Sequence, residues 1–376
     1  METFDAIVLG AGGVGSSAAF HLARRGLRTL ALDRFPGGHD RGSSHGETRV
    51  IRQAYFEHAD YVPLLLKAYE RWAELETLVG RRLFEPVGLL QAGPPDGEVI
   101  SGVLGSAKLH GLLVEELTAA QAKRRFPALH VPDDCACVFE PRAGYLHVED
   151  CVRAHQQVAF AAGAEIRTGV TVLDWGADSA TAEVRTDQGR FRAARLIVTA
   201  GPWAGELLGE LNLPLHVTRQ HVYWFRAANE RIHERSGCPV YLYELPAGIF
   251  YGFPDREPGG VKVAEHTNGQ TIADPLHDHG AFDAADFARI NAFREQCLPD
   301  VTGELLRRNV CFYTMSADGH FYLDRVPQHP QVVFAAGLSG HGFKFTTVLG
   351  EALADLACDG GSELPIDFLR VARHRA

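Results

Sequence analysis

The sequence predicts a mixed α/β (α+β) fold in which both ends of the chain build one domain with parallel strands and a mainly antiparallel β-sheet is inserted between them. Three observations predict it. Residues 5–25 read as a strand, a glycine-rich turn and a helix, and residues 331–357 repeat that order. Residues 216–265 contain alternating, aromatic-rich segments, which are typical of antiparallel strands.

The N-terminal unit is typical of a dinucleotide-binding βαβ unit. An apolar run at 5–9 predicts a buried parallel strand, 16–25 a helix, and 28–32 a second strand. In the turn, Gly10 permits a tight bend, Gly12 lets the backbone approach a pyrophosphate, and Gly15 lets the helix pack on the strand. The free N–H groups at the helix N-terminus favour phosphate binding.

An acidic residue ends the second predicted strand. Asp33 follows Gly10 by 23 residues, close to the roughly 20 expected of a carboxylate that binds a ribose diol. A carboxylate there disfavours the 2′-phosphate of NADP. The unit by itself does not separate FAD from NAD.

The remaining elements follow from apolar periodicity and turn residues. Helices are predicted at 60–78, 149–162 and 345–357, a strand at 331–336, and a β-meander over 165–198 with a turn at 187–189. The strand at 195–199 leads into Ala200-Gly-Pro-Trp203, where we expect a close backbone approach.

Composition excludes several classes of function. The chain has 376 residues, enough for two domains, and a net charge of -10, which argues against a general affinity for nucleic acid or anionic membrane. No apolar run approaches the ~20 residues that span a bilayer. A strand so near the N-terminus leaves no room for a signal peptide. We therefore expect a cytoplasmic protein.

The seven cysteines predict neither a disulfide framework nor a metal site. Their number is odd, and they are scattered over a chain without a signal peptide. Cys135 and Cys137 form the only close pair, and no second Cys or His pair at zinc spacing accompanies it. Most of them are expected to be buried packing residues.

The stretch at 41–52, RGSSHGETRVIR, begins eight residues after Asp33 and is the most unusual part of the chain. Small and polar residues surround His45, and the two guanidinium groups of Arg49 and Arg52 follow. Such a pair suits an anion close to the nucleotide. From the residues alone, two solvated surface arginines remain the alternative.

Several motifs together resemble the family of monomeric sarcosine oxidase, N-methyltryptophan oxidase and pipecolate oxidase, within the D-amino-acid-oxidase-like FAD fold. The resemblance covers essentially the whole chain. It is carried by GAGGVG at 10–15, GSSHGETRVIR at 42–52, YGFP at 251–254, KVAEHTNGQ at 262–270, NVCFYT at 309–314 and GLSGHGFKF at 337–345. One departure is Glu47, where the family often has aspartate.

The resemblance implies a Rossmann-like FAD-binding domain from residues 1–85, 150–215 and 311–376, and a substrate domain from 86–149 and 216–310. It also implies an amine oxidase that reduces dioxygen to hydrogen peroxide. A hydride equivalent would pass from the C–H next to the substrate nitrogen to flavin N5.

Two residues gain roles only through the resemblance. Cys311, otherwise an inert packing cysteine, matches the family cysteine that is joined by a thioether to the flavin 8α-methyl group. Lys262, otherwise a snorkelling surface lysine, matches a lysine placed over the flavin. There a fixed cation would favour charge that develops on dioxygen.

The resemblance also places the substrate. Thr48 and Arg49 would lie beside the isoalloxazine, whereas Arg52 and Lys344 would bind the carboxylate of an amino acid. Three further residues match the pocket lining, and two of them, Tyr251 and His266, could hydrogen-bond the amine or the carboxylate; the third is Tyr313. Arg49, Lys262, Tyr251 and His266 make up the expected catalytic set.

Further contacts are expected from the same match. His45 is expected to support the flavin loop, and the side chains of Tyr241-Leu-Tyr243 to influence substrate size. The remaining residues expected to bind the cofactor are Arg34, Ser43, Ser44, Val172, Trp203, Gly340 and Gly342.

The function predicted from these motifs is an oxidase of N-methyl or secondary amino acids, acting as a monomer. Oxidation of cyclic imino acids such as pipecolate or proline would share every motif. A dehydrogenase that passes electrons to a quinone or a carrier protein is a second alternative, and a non-catalytic flavin-binding subunit a third.

Overall fold

The computed structural model describes residues 1–256, 259–278 and 280–374, which form eight α-helices and 20 β-strands. The helices are α1 (Gly13–Arg24), α2 (Tyr61–Val79), α3 (Glu98–His110), α4 (Ala119–Arg125), α5 (Val148–Ala161), α6 (Ala204–Leu207), α7 (Ala284–Cys297) and α8 (Thr346–Cys358).

The strands are β1 (Glu2–Leu9), β2 (Thr29–Asp33), β3 (Thr48–Ile51), β4 (Phe84–Glu85), β5 (Leu89–Gly93), β6 (Glu115–Thr118), β7 (Ala136–Glu140), β8 (Gly144–His147), β9 (Glu165–Thr168), β10 (Val172–Ala177), β11 (Ala182–Thr186), β12 (Gly189–Val198), β13 (His216–Ala227), β14 (Val240–Leu245), β15 (Gly248–Phe253), β16 (Val261–Glu265), β17 (Gln270–Ile272), β18 (Val301–Met315), β19 (Tyr322–Val326) and β20 (His329–Ala336).

The first sheet has eight strands, drawn from both ends and the middle of the chain. Its path runs β10-β11-β12-β1-β2-β9, and β20 pairs with β12 and with β19. The strands β12, β1, β2 and β9 are parallel neighbours, and β20 is parallel to β12. Helices α1, α5 and α8 pack together over one face, where α1 contacts both of the others. The predicted parallel sheet built from both termini is confirmed.

One part of the predicted meander is wrong. Residues Glu165–Thr168 form β9, which pairs in parallel with β2 and does not join β10. The chain enters β9 directly from α5, the helix that packs against α1 on one face of this sheet. The antiparallel meander comprises β10, β11 and β12 only, with the expected turn at 187–189.

The second sheet has nine strands and is antiparallel apart from the β5–β14 pair. Its path runs β17-β13-β16-β15-β14-β5-β7-β6, and the long strand β18 pairs with β13. One face packs on α7 through Ile290 and Phe293. The other packs on α3 through Val99 and Val103. A small sheet, β3-β8-β4, adds the stretch that begins at Thr48.

Among the described residues, no helix is long and apolar enough to cross a membrane. Nor does that part of the chain hold a group of three or more His, Cys, Asp or Glu side chains that could bind a metal ion.

Candidate active site

The glycine-rich turn has the tight geometry that its sequence predicts. Gly10 adopts a φ of 90°, and a Cβ atom there would lie 2.5 Å from the carbonyl oxygen of Thr199. A Cβ atom on Gly15 would lie 1.7 Å from the Gly10 carbonyl oxygen, so this glycine brings α1 close to β1. A Cβ atom on Gly12 would meet nothing within 4 Å. Gly12 therefore leaves space at the N-terminus of α1 for an anionic group.

Asp33 is tied to this turn by its carboxylate. One oxygen accepts a hydrogen bond from the backbone N–H of Ala11 at 2.7 Å, and the other accepts from Phe35 N–H at 2.9 Å. The carboxylate thus lies beside the glycine turn at the end of β2, the position expected of a ribose-binding acid.

A cavity runs from the turn toward the second sheet. Its lining contains twelve of the residues expected to bind the cofactor or the substrate: Gly10, Gly12, Asp33, Arg34, Ser43, Ser44, Arg49, Val172, Trp203, Tyr313, Gly340 and Gly342. Gly15 and Thr48 are not part of the lining. Lining residues that the sequence did not single out include His39, Val170, Thr199, Phe312, Phe343 and Thr346.

The donor groups around the cavity fit a dinucleotide. The indole Nε1 of Trp203 is buried and has no hydrogen-bond partner among the described residues. Arg34 lies over the Trp203 ring at 5.9 Å, and Phe35 lies 6.0 Å from it. A buried donor without a partner, beside planar side chains, suits the heterocyclic or ribose part of a nucleotide.

The loop before β3 is held by a carboxylate that sequence reasoning missed. Glu149 accepts hydrogen bonds from the backbone N–H groups of Gly46, at 2.7 Å, and Glu47, at 3.1 Å. Glu47 has a φ of 71°, which is unusual for a residue with a side chain. Its own carboxylate accepts from Trp224 Nε1 at 3.2 Å and pairs with Arg307. Both acids therefore fix the shape of this loop.

Arg49 and Cys311 meet at the cavity. The Nη2 group of Arg49 donates to the Cys311 sulfur at 2.9 Å and to the Ser43 carbonyl oxygen at 2.9 Å. Cys311 is 3% exposed, and its thiol donates to the same carbonyl at 3.3 Å. The sulfur therefore lies between a guanidinium N–H and a carbonyl oxygen, and its surroundings are not purely apolar. The structure thus makes Cys311 chemically different from a packing cysteine.

Lys262 is buried, and its side chain does not snorkel to the surface. The ammonium group donates to the carbonyl oxygens of Gly46, at 2.7 Å, and Thr48, at 3.0 Å, and to the Thr48 hydroxyl at 3.2 Å. Its cross-strand neighbours Trp224 and Phe253 place their rings 5.5 and 4.9 Å away. Burial, with Arg49 nearby, lowers the pKa of Lys262 well below its usual range.

Arg52 is also buried and already has an anionic partner. Its Nη2 group donates to both carboxylate oxygens of Glu57, at 2.6 and 2.7 Å, and Nη1 donates to the Ala54 carbonyl. Burial alone would raise the pKa of Glu57, but the nearby positive charge, chiefly that of Arg52, outweighs this effect and lowers the pKa of the carboxyl to about 2. Glu57 was missed because a single glutamate in a loop carries no sequence signal.

Lys344 lies close to Arg52 in an aromatic cluster. The ammonium donates to the His341 carbonyl oxygen at 2.7 Å and to the Tyr55 hydroxyl at 3.4 Å. Burial, reinforced by the charge of Arg52, lowers the pKa of Lys344 to about 7. The sequence expectation that Lys344 joins Arg52 thus has a geometric basis, although Tyr55 and His341 were not anticipated.

Tyr313 lines the cavity, and His266 and Tyr251 lie beside it. The Tyr313 hydroxyl lies 3.5 Å from His266 Nδ1, and their ring centroids are 5.6 Å apart. Burial, with Lys344 and Arg52 nearby, lowers the pKa of His266 to about 4, so the imidazole is neutral at neutral pH. His266 can therefore exchange hydrogen bonds with a substrate without carrying charge.

His45 is 1% exposed, and neither ring nitrogen has a hydrogen-bond partner in the described part of the chain. Burial, with Arg49 nearby, lowers the pKa of His45 to about 3. It lies in the loop that Glu149 holds, and its role as a support for that loop stays a prediction.

The expectation that Tyr241 and Tyr243 influence substrate size disagrees with their placement. Both side chains point to the α7 face of the sheet, where their rings lie 6.4 and 5.4 Å from Phe293. Strand alternation puts Leu242 on the other face, directly opposite Tyr251. Leu242 packs there with Val99 and Val103 of α3.

The protein has a dinucleotide-binding turn and a cavity that runs from it toward buried cations and tyrosines. These features define a nucleotide-dependent enzyme of the doubly wound class. The chain belongs to the family of FAD dependent oxidoreductases called DAO, whose model matches residues 5–356. FAD is therefore its cofactor, and the choice left open by the glycine turn is resolved in favour of the flavin.

Curated relatives cover the full length of the chain. It is 39% identical over 374 residues to the monomeric sarcosine oxidase of Bacillus sp. (strain B-0618), which covers 98% of this chain and 96% of that protein. It is 37% identical over 375 residues to the N-methyl-L-tryptophan oxidase of Yersinia pestis (strain Pestoides F), with 99% and 100% covered. The family expected from the motifs is confirmed.

Solved structures share the fold over the same extent. The open form of NikD, an unusual amino acid oxidase essential for nikkomycin biosynthesis, has a TM-score of 0.87 at 27% identity and covers 98% of each chain. Glycine oxidase from Geobacillus kaustophilus has a TM-score of 0.84 at 19% identity, a likeness of fold alone.

Proposed function

We propose that this FAD-dependent oxidoreductase is an oxidase of N-methyl or other secondary amino acids. The observation that carries the proposal is the pair of buried cations, Arg52 and Lys344, gathered around Tyr55. Buried cations are costly unless an anion compensates them, and one internal carboxylate, Glu57, serves both. A second carboxylate, from the substrate, would complete the balance.

Two groups of residues would contact the cofactor, one at its nucleotide end and one at its flavin ring. The turn at Gly10 and Gly12 with the N-terminus of α1 would bind the pyrophosphate, Asp33 a ribose diol, and Ser43 and Ser44 the adjoining part of the cofactor. Arg49 and Thr48 would lie beside the flavin ring. Bound FAD would accept the hydride equivalent of the substrate and pass two electrons to dioxygen, which becomes hydrogen peroxide.

Cys311 is the proposed site of covalent attachment, through a thioether to the flavin 8α-methyl group. Two observations support this assignment. Arg49 directs an N–H at the sulfur at 2.9 Å, and Phe312 and Tyr313, the next two residues, line the cofactor cavity. The attacking sulfur must be a thiolate. The new C–S bond would replace a C–H bond of the 8α-methyl group, whose proton is released and whose two electrons would pass to the flavin ring and from there to dioxygen.

The pocket residues would orient the substrate. Arg52 and Lys344 would hold its carboxylate, which puts the C–H next to nitrogen at a fixed position; such positioning supplies much of the rate enhancement in a reaction without a strong base. Neutral His266, with the hydroxyls of Tyr251 and Tyr313, would accept or donate hydrogen bonds at the amine. The substrate must react as the neutral amine, and an uncharged imidazole is compatible with that form.

Lys262 is the proposed site of dioxygen reduction. Its ammonium, bound to oxygens of Gly46 and Thr48 and close to the Trp224 and Phe253 rings, would stabilise negative charge that develops on dioxygen. We further propose that the two large sheets correspond to the FAD-binding and substrate-binding domains expected from the sequence, and that the protein is a cytoplasmic monomer.

Peroxide production tests the proposal. Purified yellow protein is assayed with sarcosine, N-methyltryptophan, pipecolate, proline and glycine. Peroxide formed with a secondary amino acid supports the oxidase. Turnover of pipecolate or proline alone would favour a cyclic imino acid oxidase, and flavin bleaching without peroxide a carrier-linked dehydrogenase. No bleaching with any of them would refute the proposal.

The affinity for carboxylates is expected to fall as pH rises through about 7. The pKa of Lys344 is lowered to about 7 in the folded protein, so the free pocket carries its ammonium below that pH and loses it above. Acetate, which has no amine to titrate, should bind up to about tenfold more weakly per pH unit above 7. Calorimetric titration should show proton uptake on binding at pH 8, and this uptake should be absent in Lys344→Met.

Glu57→Gln is expected to tighten acetate binding severalfold and to destabilise the empty protein. Both carboxylate oxygens of Glu57 accept from the Nη2 group of Arg52, and the substitution leaves the buried guanidinium without its paired anion, at a cost of about 3–5 kcal/mol. The melting temperature of the variant should be lower than that of the wild type. Addition of acetate should raise it by more than it raises the melting temperature of the wild type. An equal acetate response in both proteins would show that the substrate site does not involve Arg52.

A further inference from the structure

Tyr55 lies between the two cations that the proposed function assigns to the substrate carboxylate. Its side chain is fully buried. The guanidinium carbon of Arg52 lies 4.2 Å from its ring centroid, and the ammonium of Lys344 lies 5.1 Å from it and donates to its hydroxyl. One tyrosine thus contacts both groups that would bind the substrate.

The hydrogen bonds around Tyr55 have a fixed direction. His341 Nε2 lies 3.0 Å from the carbonyl oxygen of Gly319, which can only accept, so Nε2 carries the proton. Burial lowers the pKa of His341 to about 3, so Nδ1 is unprotonated. Nδ1 must then accept the hydroxyl proton of Tyr55, 2.5 Å away. The Tyr55 oxygen is left as an acceptor toward Lys344.

We propose that Tyr55 and His341 form a positioning unit that keeps Lys344 as an ammonium directed at the substrate carboxylate. The unit supplies two acceptors, the Tyr55 hydroxyl and the His341 carbonyl oxygen. Among the described residues these are the acceptors of Lys344, so one of its three N–H bonds is left for a carboxylate. This inference rests on the proposed function, because that function defines Lys344 as a substrate contact.

The neighbouring charges show why such a unit is needed. Burial disfavours the ammonium form of Lys344, and Arg52 and Arg49 repel it, whereas Glu57 is the anion that favours it. His266 and His341 are neutral and contribute no charge. Because Glu57 is bound to Arg52 through both oxygens, the directed acceptors of Tyr55 and His341 must supply the remaining stabilisation.

Calorimetric titration with acetate between pH 6 and 9 tests the unit, with acetamide as the neutral isostere. In Tyr55→Phe the dissociation constant of acetate at pH 7 should rise about tenfold, the loss of one hydrogen bond to a charged group. The pH at which acetate affinity falls should shift downward. Acetamide binding should be unchanged, because it does not depend on the charge of Lys344.

Tyr61→Phe is the matched control. Tyr61 is as buried as Tyr55 and packs 5.3 Å from it, but its hydroxyl accepts from the Phe321 backbone N–H and no bond joins it to Lys344. This variant loses a buried hydroxyl of the same aromatic cluster. It should bind acetate as the wild type does, with the same pH dependence.

His341→Leu provides a second test, which also serves if Tyr55→Phe does not fold. It should also weaken acetate binding. The variant that carries both substitutions should bind acetate no more weakly than either single variant, since the two residues act as a unit. Unchanged acetate affinity in Tyr55→Phe, or equal losses for acetate and acetamide, would overturn the inference while leaving the proposed function intact. Wild-type protein that neither binds acetate nor oxidises a secondary amino acid would overturn both.

Discussion

Replacing Lys262 with methionine is expected to slow the reaction of the reduced protein with dioxygen about a hundredfold or more, while reduction by the amine changes only severalfold. The ammonium lies within 5.5 Å of two aromatic rings and far from bulk water, so its field on developing negative charge is weakly screened. Methionine keeps the volume of the side chain but removes the charge. Stopped-flow measurement of each half-reaction separates the two effects.

Two controls sharpen this experiment. Lys262→Arg keeps the charge but changes its geometry and should recover part of the rate. Lys67→Met removes an exposed lysine that pairs with Glu70 and should leave both half-reactions unchanged. An unchanged reoxidation rate in Lys262→Met would place dioxygen reduction elsewhere.

Replacing Cys311 with serine is expected to abolish covalent flavin attachment. The wild-type polypeptide should retain flavin fluorescence after denaturing electrophoresis, and its intact mass should include FAD; in Cys311→Ser both signals should vanish. Serine approximates the size of cysteine, so the bound flavin should remain until the protein unfolds. Sulfur is required because a thiol ionises far more readily than an alcohol.

Cys297→Ser provides the comparison for this variant. Cys297 is a fully buried cysteine in the core between the second sheet and α7. Its replacement should lower stability without releasing flavin on denaturation. Covalent flavin that persists in Cys311→Ser would show that another residue forms the bond, or that attachment does not use a cysteine.

The prediction of the fold succeeded where the signal is local. The spacing of Gly10, Gly12 and Gly15 with Asp33 fixed the first crossover, because a tight turn, a pyrophosphate approach and a close helix–strand contact each need a particular residue at a particular place. It failed for β9, whose four residues have no alternation that distinguishes a parallel neighbour of β2 from the start of a meander. Pairing partners are set by contacts distant in sequence.

The prediction of the site shows the same division. Arg49, Arg52, Lys262, Cys311 and Lys344 were predicted from motifs. In the structure Arg49 lines the cavity and contacts Cys311, Lys262 contacts the Thr48 backbone, and Arg52 and Lys344 both lie at the Tyr55 ring. Their partners were not identified. Glu57, Glu149, Tyr55 and His341 act through hydrogen bonds that join segments up to 289 residues apart. Tyr241 and Tyr243 were assigned to the pocket, although strand alternation puts them on the opposite face.

The sequence by itself therefore determined the dinucleotide turn and the two-sheet architecture, since each depends on residue type and local spacing, and its motifs, through the family resemblance, supplied the cations predicted for the site. The tertiary structure decided the state of those charges. Glu57 pairs with Arg52, Tyr55 and His341 hold Lys344, and the Gly46 and Thr48 carbonyls hold Lys262. The protonation and orientation of a buried cation depend on burial and on acceptors within a few ångströms, and these are set only when distant segments pack together.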